Sequence, residues 1–191
     1  MNLRERNKEA TRVAIGDAAL RLAIEQGPSG LALVRVHDIA TTAGVSPRTY
    51  NNYFSSREEA ICSFQADRSR QVGQALRDRP ADEPFGQAVI AAVIALYTEP
   101  EPDRAGLRMI MMTPELAGEA LKAFTMAEDP LAEAIAARTG MDAARDLFPA
   151  VTAAAVAGAI RVAGRRWLEA GSGVSFADTL RAALGCVVAA P

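Results

Sequence analysis

Residues able to support acid–base, nucleophilic or metal chemistry are scarce in this sequence. It contains one histidine among 191 residues. Its two cysteines, Cys62 and Cys186, lie far apart and lack metal-ligand spacing, so we expect reduced thiols. Neither a glycine-rich phosphate-binding loop nor a paired set of metal ligands occurs. The sequence therefore gives no support to an enzyme and predicts no catalytic residue, no cofactor and no metal ion.

Aromatic residues and long apolar segments are also few. Aromatic side chains make up 5% of the chain and hydrophobic ones 50%, and alanine is abundant, which favours closely packed helices. The longest apolar run, residues 153–160, is far shorter than the roughly 20 residues of a membrane-spanning helix. The N-terminal residues are charged and polar, unlike a signal peptide. We therefore expect a cytoplasmic protein with no membrane segment.

Charge is distributed unevenly, although the net charge is only −2. Residues 1–57 contain eight basic and five acidic residues, a net charge of +3. Residues 58–191 contain 13 basic and 18 acidic residues, a net charge of −5. A more basic N-terminal part suits a protein that binds DNA at one end.

The stretch from Val36 to Phe54 predicts two short helices joined by a tight turn. Gly44 can adopt the left-handed conformation after the first helix, and Ser46 can cap the second. Pro47 stands at a first helical position, where its missing N–H costs nothing. This is the pattern of a helix-turn-helix, whose second helix enters the DNA major groove. A simple helical hairpin remains the alternative interpretation of the same pattern.

The outward positions of the second helix are all hydrogen-bonding residues, namely Arg48, Thr49, Asn51 and Asn52. Such side chains suit phosphates and base edges. They are also ordinary surface residues, so their chemistry alone leaves DNA binding and a solvated helix face both open.

A larger set of residues resembles the DNA-binding domain of TetR-family transcriptional regulators. The resemblance covers residues 11–61 and is carried by Arg12, Ile15, Ala18, Ala19, Leu22, residues 38–40, residues 43–46, Thr49, Tyr53, Phe54 and residues 56–61. It implies an all-α fold with a three-helix DNA-binding domain at 1–57. It also implies a helical ligand-binding and dimerisation domain at 58–191, and we expect about nine helices in total.

The resemblance implies a set of DNA contacts, which are His37, Thr42, Ser46, Pro47, Arg48, Thr49, Asn51, Asn52, Tyr53 and Arg57. Two positions depart from the family pattern. Arg35 stands where a Ser or Thr usually caps the first helix of the motif, and Asn51 stands where a Tyr often contacts phosphate. For His37, the only histidine, a solvated helix surface is the alternative.

The C-terminal part is expected to be helical throughout. We expect Leu31 and Leu33 to pack beneath the helix-turn-helix. Thr113 is expected to cap one helix that runs to about Thr139, and Asp142 to cap another of roughly 25 residues. Together with the final helix, this long, alanine-rich helix predicts a homodimer interface formed by the last two helices. Interior helices of a monomer are the alternative.

The resemblance also implies a pocket between the middle helices. Candidate lining residues are Leu96, Tyr97, Arg108, Met109, Met112, Phe124 and Trp167. Flexible methionines suit an adaptable apolar site, although ordinary core packing is the alternative for each of these residues. An arginine at the pocket mouth would receive a carboxylate or phosphate.

The predicted function is a ligand-responsive regulator that binds a palindromic double-stranded DNA operator. In this interpretation a small apolar or amphipathic effector releases a homodimeric repressor from the operator. An activator, or a constitutive DNA-binding protein without an effector, fits the same residues.

Overall fold

The computed structural model describes residues 3–99, 101–171 and 173–188. Within these ranges all regular structure is helical, which confirms the predicted class, and ten α-helices replace the roughly nine expected. They are α1 (Leu3–Gln26), α2 (Val36–Thr42), α3 (Pro47–Asn51), α4 (Arg57–Arg77), α5 (Phe85–Thr98), α6 (Arg104–Met112), α7 (Ala117–Thr125), α8 (Glu128–Thr139), α9 (Leu147–Glu169) and α10 (Phe176–Gly185). Short 3-10 helices span Pro28–Leu33 and Pro114–Leu116.

The chain divides into two compact units. The head comprises the residues up to Gln65 together with Ala105–Ala120, and the body comprises Ala66–Arg104 and the chain from Leu121 onward. The division between these compact units lies inside α4, whereas the domain boundary after residue 57 stays a prediction from the sequence. The physical reason for this division is that Ala60 and Ile61, in the first turns of α4, are fully buried in the head core.

Large aliphatic and aromatic side chains fill the core of the head. Ile15 of α1, Ile39 of α2, Tyr50 of α3 and Ile61 of α4 are all at most 1% exposed. Leu31 joins this core as predicted. The expectation for Leu33 is wrong, because its side chain is 64% exposed on the last residue of the first 3-10 helix.

The predicted helix-turn-helix is confirmed. Gly44 follows α2 with φ +69°, a conformation that side-chain-bearing residues adopt only with strain. The next amide, that of Val45, donates to the carbonyl of Ala40 at 2.9 Å and closes the turn. Arg35 occupies the N-cap of α2 without a side-chain capping bond, in keeping with its departure from the family pattern.

The single helix expected from Thr113 to Thr139 is wrong. The chain instead forms a 3-10 turn, then α7, and then α8 after a break at Met126 and Ala127. Pro130 explains the break, because it has no N–H to donate to the carbonyl four residues earlier and is tolerated only in the first turn of a helix. Thr113 makes no side-chain capping bond, and its hydroxyl donates to the sulfur of Met109 at 3.3 Å instead.

The helix after residue 140 begins later than predicted. Asp142 does not cap it, because the amide of Ala144 donates to the Asp142 carboxylate within a turn that precedes α9. The amide of Asp142 in turn donates to Asp146 at 2.8 Å, and Asp146 is the N-cap residue of α9. Two aspartates therefore stabilise one turn, which shortens the helix by a turn at its start.

In the body, α9 packs against α8 and α10. Its C-terminus is closed by Arg104, whose guanidinium donates to the carbonyl of Trp167 at 2.8 Å and lies 4.1 Å from the centroid of the indole ring. The indole N–H of Trp167 donates to the carbonyl of Val174 at 2.8 Å. The last carbonyl groups of a helix have no amide donors within the helix. A cation at this position donates hydrogen bonds to them and interacts favourably with the negative end of the helix dipole.

By length and composition, α9 is apolar enough to cross a membrane. Half of its apolar window is nevertheless buried inside the body, where it packs as a core helix does. The apolar character of α9 is thus explained in large part by packing within the protein.

Candidate functional site

The helix-turn-helix presents a short second helix, α3, with a well-defined start. The hydroxyl of Ser46 accepts the amide of Thr49 at 3.0 Å, and the two hydroxyl groups lie 2.9 Å apart. Pro47 follows at the first helical position. This capping bond satisfies one of the unpaired amides at the helix start and fixes the direction in which α3 leaves the turn.

One face of α3 is buried through Tyr50. Its ring is 1% exposed, and its hydroxyl donates to the carbonyl of Ser56 at 2.8 Å, just before α4. Burial, together with nearby Glu58 and Glu59, raises the pKa of Tyr50 to about 12, so the hydroxyl stays protonated and donating at neutral pH. The opposite face of α3 is thereby held outward.

That outward face carries the predicted base and phosphate contacts. The side chains of Pro47, Arg48, Asn51 and Asn52 are exposed, as is that of Ser46. Thr49 and Tyr53 are half-buried, and Tyr53 packs against the head core. Arg48, Asn51 and Asn52 are therefore the residues of α3 best placed to reach a groove, while Ser46 and Thr49 also serve the helix start.

Two predicted contacts lie on α2. His37 and Thr42 are both exposed. The carbonyl of His37 accepts the hydroxyl of Thr41 at 2.9 Å, so this turn of α2 has a local side-chain bond to the backbone. The proposed roles of His37 and Thr42 at DNA stay predictions.

Arg57, at the start of α4, is held by other parts of the head. Its Nε donates to Glu58 at 2.7 Å, and one terminal nitrogen donates to the carbonyls of Ala32 and Val34 at 3.2 and 3.3 Å. These bonds tie α4 to the segment that precedes α2. A phosphate contact by Arg57, which also stays a prediction, would have to be made alongside these bonds.

Net charge does not by itself make the head a DNA-binding unit. Nine basic residues balance nine acidic ones over the head as the structure divides it. Several acidic groups serve the fold, since the carboxylate of Glu59 accepts the amide and hydroxyl of Ser55 at the start of α4. Exposed cations of the head include Arg4, Arg6 and Lys8 of α1 and Arg48 of α3, and a phosphate contact by any of them stays a prediction.

The body contains a cavity between α4, α5, α7, α8 and α9. Its empty space is about 260 Å³ including the mouth, with room inside for about one water molecule. The lining residues are Ser69, Val72, Tyr97, Phe124, Ala127, Glu128, Leu131, Ala153, Val156, Ala157 and Ile160. Because α9 contributes two alanines to this wall, its backbone can come close while leaving space unfilled.

A pair of hydroxyl groups is the polar feature of this wall. Ser69 of α4 and Tyr97 of α5 are each 2% exposed, and their hydroxyl oxygens lie 2.9 Å apart. The guanidinium of Arg68 lies 5.4 Å from the centroid of the Tyr97 ring, and burial lowers the pKa of Arg68 from its ordinary value.

Two of the seven predicted pocket residues, Tyr97 and Phe124, line this cavity. The other five do not belong to its lining. Met109 is buried in the head core, and Trp167 is packed between Arg104 and Phe176. Arg108 and Met112 are exposed, and Leu96 is half-buried away from the cavity.

The residues that sequence reasoning missed at the cavity are mainly small or lie on α4 and α9. Ala153, Val156, Ala157 and Ile160 are spaced three and four residues apart, which puts them on one face of α9. That spacing was available in the sequence as a signal. Ser69 offered no such signal, because a serine inside a long, polar helix is an ordinary surface residue.

Comparisons with known proteins agree with this geometry. The family described as the MftR C-terminal domain matches residues 83–190, more than half of the chain. The chain is 33% identical over 175 residues to the HTH-type transcriptional regulator TcmR of Streptomyces glaucescens, a match that covers 86% of this chain and 76% of that protein.

Solved structures share the fold. The chain is similar to Thermus thermophilus FadR, a TetR-family transcriptional repressor in complex with lauroyl-CoA, with a TM-score of 0.59 and 19% identity over 92% of each chain. It is also similar to the fatty acid degradation regulator FadR of Bacillus halodurans, with a TM-score of 0.60 and 14% identity over 92% of this chain and 93% of that one.

Proposed function

The chain belongs to the TetR family of transcriptional regulators, and from this premise we propose that it is a homodimeric repressor that a small apolar or amphipathic effector releases from its operator. The observation that carries the proposal is the two-sided construction of α3. Tyr50 anchors one face in the head core, and Arg48, Asn51 and Asn52 stand exposed on the other. A rigid helix with polar side chains on its outer face is the form in which major-groove contacts are made.

DNA binding is tested on the full chain by selecting binding sequences from a random pool and measuring affinity by fluorescence anisotropy over a range of salt concentrations. We expect Arg48→Ala to weaken binding. If Arg48 contacts a phosphate, the slope of log affinity against log salt concentration should fall by about one. If it contacts a base, the discrimination between bases at that operator position should fall by about 1–3 kcal/mol. We expect Asn51→Ala to weaken specific binding more than non-specific binding, because amides read base edges.

The matched control is Arg145→Ala in the body, where the arginine side chain is 86% exposed. It removes the same charge and should leave the affinity unchanged. Equal losses for Arg48→Ala and Arg145→Ala would contradict a contact through α3, because they would indicate a general charge effect.

The proposed dimer uses an apolar stripe that the body leaves exposed on α9. Leu147 and Val151 are 80% and 62% exposed, and Ala154 and Val162 continue the stripe at helical spacing. Exposed apolar stripes of this kind mark protein–protein contacts. A two-fold operator requires two heads per complex, so dimerisation and palindromic DNA belong to one proposal.

Val151→Lys tests this interface by light scattering across a dilution series. The side chain is exposed in the single chain, so the change should spare the fold while placing two charges against each other in the dimer. We expect a monomer and a loss of tight operator binding. Val174→Lys, at a side chain that is 46% exposed elsewhere in the body, should remain dimeric. A dimeric Val151→Lys protein would overturn the proposed interface.

The effector is proposed to bind in the cavity of the body and to act by shifting populations. In its present form the cavity holds about one water molecule, so ligand binding requires a conformation in which α4 lies farther from α8 and α9. A ligand that prefers this conformation favours it only by its difference in affinity for the two states. Since α4 continues into the head, such a change would alter how the head is presented to DNA.

Lauroyl-CoA is the first effector to test, because a protein of the same fold is known in complex with it. Added to the protein–operator complex, it should release DNA, while coenzyme A alone should not. The narrow cavity also favours a second candidate, a constitutive DNA-binding protein with no effector. Undiminished operator binding in the presence of lauroyl-CoA and a panel of apolar compounds would support that candidate instead.

A further inference from the structure

The exposed face of α9 has a regular spacing. Intervals of four and three residues alternate along it, at Leu147, Val151, Ala154, Gly158, Arg161 and Arg165. Five of these residues are exposed and Gly158 is half-buried, so the body leaves the face open to solvent. The same alternation defines the a and d positions at which two long helices pack against each other. The face therefore has the periodicity of a contact with another helix.

Gly158 is the position on this face at which a second backbone can come closest. A Cβ atom built there would meet no atom within 4 Å, so packing inside the described body does not require a glycine. Glycine within a helix nevertheless costs about 1 kcal/mol relative to alanine. Ala154, one turn earlier, is also small and is exposed. Close approach of a helix from outside the chain would explain both residues.

The C-terminal end of the face is basic. Arg161 and Arg165 lie one turn apart, both are exposed, and neither has an ion-pair partner among the residues that the structure describes. The neighbouring Arg166 lies off this face and is 3.7 Å from the carboxylate of Glu169. Two cations of the face are thus available to a partner.

The N-terminal end is apolar and acidic. Leu147 begins the face with a side chain that is 80% exposed. Asp142 and Asp146 precede it in the turn before α9, and both are exposed. Arg145 lies in the same turn, 3.7 Å from the carboxylate of Asp142. The two ends of the face are therefore complementary, one supplying cations and the other supplying carboxylates beside an exposed apolar side chain.

Charge distinguishes between the two directions in which a second copy of α9 could pack. In a parallel pair each arginine would lie against the same arginine of the partner subunit, and like charges repel. In an antiparallel pair the basic end of each helix lies against the acidic end of the other. A two-fold axis perpendicular to α9 produces this second arrangement.

The spacing of the face also specifies the register of an antiparallel pair. With the axis level with Val156, Ala154 lies opposite Gly158 of the partner subunit. Arg161 then lies opposite the partner's Val151, and Arg165 lies opposite the partner's Leu147 and next to its Asp146. Arginine suits such a position, because its apolar stem covers an aliphatic side chain while the guanidinium binds a carboxylate.

We infer that α9 is an antiparallel self-recognition helix, which crosses α9 of a second copy at Ala154 and Gly158 and selects that copy by pairing Arg161 and Arg165 with the N-terminal end of the partner helix. The inference rests on the proposed function, because it takes the chain as a homodimer. It adds the direction of packing, the register and the residues that distinguish a second copy from other partners.

Two variants of opposite charge test the register. The acidic variant is Arg161→Glu with Arg165→Glu, and the basic variant is Leu147→Lys with Val151→Lys. All four side chains are exposed in the single chain, so the fold should persist, which circular dichroism verifies. Each variant alone should self-associate at least about ten-fold more weakly than the unaltered chain, because like charges meet in both homodimers.

Mixing the two variants should restore association. In the predicted register the new glutamates of one chain lie opposite the new lysines of the other, and native mass spectrometry should show the mixed dimer as the main species. The matched control is Arg4→Glu with Lys8→Glu on α1, which reverses two exposed cations at the same spacing. It should remain a homodimer and should not rescue the basic variant.

The crossing point has a test of its own. Gly158→Leu should weaken the dimer by about ten-fold, because the added side chain separates the two helices at their closest approach. Gly118→Leu is the matched control, since a Cβ atom at Gly118 of α7 also meets no atom within 4 Å. It should leave the dimer unchanged.

Three results would overturn the inference. They are no preference for the mixed dimer, equal rescue of the basic variant by the α1 control, and a Gly158→Leu dimer as tight as that of the unaltered chain. If the unaltered chain is dimeric when any of these is found, the self-recognition by α9 fails while the proposed homodimer stands. A chain that is monomeric at every concentration would overturn both, and its exposed face would then belong to a different partner.

Discussion

The head and the body are both helical, yet they are held together in different ways. In the head, α3 and the start of α4 are fixed by specific polar bonds, such as the bond from Tyr50 to Ser56 and those from Arg57 to Ala32 and Val34. Its core combines large side chains, such as those of Ile15, Ile39 and Tyr50, with several alanines. In the body, α9 approaches its neighbours through small residues, and the wall that contains Ala153 and Ala157 leaves a cavity.

This difference matches what each unit is proposed to do. A DNA-reading helix has to be presented in one geometry, because misplacing a base-edge contact loses it. A ligand-responsive unit has to possess a second conformation within a few kcal/mol, and unfilled space makes helix displacement less costly than it is in a close-packed core. The comparison predicts that equivalent changes will have different consequences in the two units.

The largest effect is expected at Tyr50. Tyr50→Ala removes a ring that is 1% exposed and should destabilise the head by about 3–5 kcal/mol, the range for large aromatic side chains in cores. Tyr50→Phe removes only the bond to Ser56 and should cost about 1 kcal/mol. Hydrogen exchange of the full chain should show lost protection in α1–α3 for Tyr50→Ala, with α9 retaining its protection. Equal loss in α9 would show that head and body unfold as one unit.

The next effect is expected at Gly73, where α4 crosses α8. A Cβ atom built on Gly73 would lie 2.5 Å from the carbonyl oxygen of Pro130, a backbone atom that cannot rotate away. Overpacking of this kind costs about 1–3 kcal/mol, and the better helix propensity of alanine offsets up to about 1 kcal/mol of it. We expect Gly73→Ala to lower the Tm and to reduce the hydrogen-exchange protection of α8.

Gly118→Ala is the control for this change. A Cβ atom at Gly118, in α7, would have no neighbour within 4 Å, so alanine should be neutral or slightly stabilising there. A Gly73→Ala protein with an unchanged Tm would mean that α4 can move away from α8 at almost no cost. That result would itself support a body with two conformations.

Local backbone chemistry is what made the head predictable from sequence. Gly44, Ser46 and Pro47 each specify a backbone conformation or a capping bond, and each was found in its predicted role. The prediction failed where the cause was not local. Leu33 was expected to be buried because it is apolar, but burial depends on which side of a 3-10 turn faces the core.

The cavity was less predictable for the same reason. Met109 and Met112 suggested a pocket by composition, whereas the cavity is formed in part by an absence of volume at Ala153 and Ala157. Empty space results from the packing of several helices that are distant in sequence. Of its lining residues, Tyr97 and Phe124 were anticipated, as apolar side chains of the middle helices.

A smaller effect is expected from two matched serine caps. Ser46 accepts the amide of Thr49 at 3.0 Å in the head, and Ser175 accepts the amide of Asp178 at 3.2 Å in the body. Replacing either serine with alanine should cost about 1 kcal/mol of stability. Only Ser46→Ala should also weaken operator binding, because α3 carries the proposed contacts. Equal operator affinity for both variants would indicate that the position of α3 does not depend on its cap.

The smallest effect on stability at neutral pH is expected from the ionisation of individual side chains. The pH dependence of that effect is what best separates the two units. In the head, burial raises the pKa values of Tyr50 and Cys62 to about 12, from 10.0 and 9.0. Well below pH 9 both groups are protonated in the folded and the unfolded chain, so the stability of the head does not vary with pH through them there. As the pH rises from about 9 toward 12 the unfolded chain loses these protons first, and the head loses stability.

The body should respond at the other end of the pH range. A hydrogen bond with Arg79, and the charges of Arg79 and Arg138, lower the pKa of Glu83 below its ordinary value. The stability from this carboxylate is present above pH 4.5 and is lost as the pH falls through the lowered pKa. Because the Arg79–Glu83 pair is partly exposed to solvent, the change should be small.

The chain supplies a reporter for each unit. Cys62 is buried in the head, while Cys186 is exposed and serves as the internal standard for thiol labelling. The single tryptophan, Trp167, reports on the body through its fluorescence. We expect the labelling rate of Cys62 relative to Cys186 to rise between pH 9 and 12 before the fluorescence changes, and Tyr50→Phe to move that rise to higher pH. In acid the fluorescence should change first. Simultaneous changes in both reporters at both extremes would mean that the two units unfold in one cooperative transition. The differences in packing between head and body would then not give the two units separate stabilities.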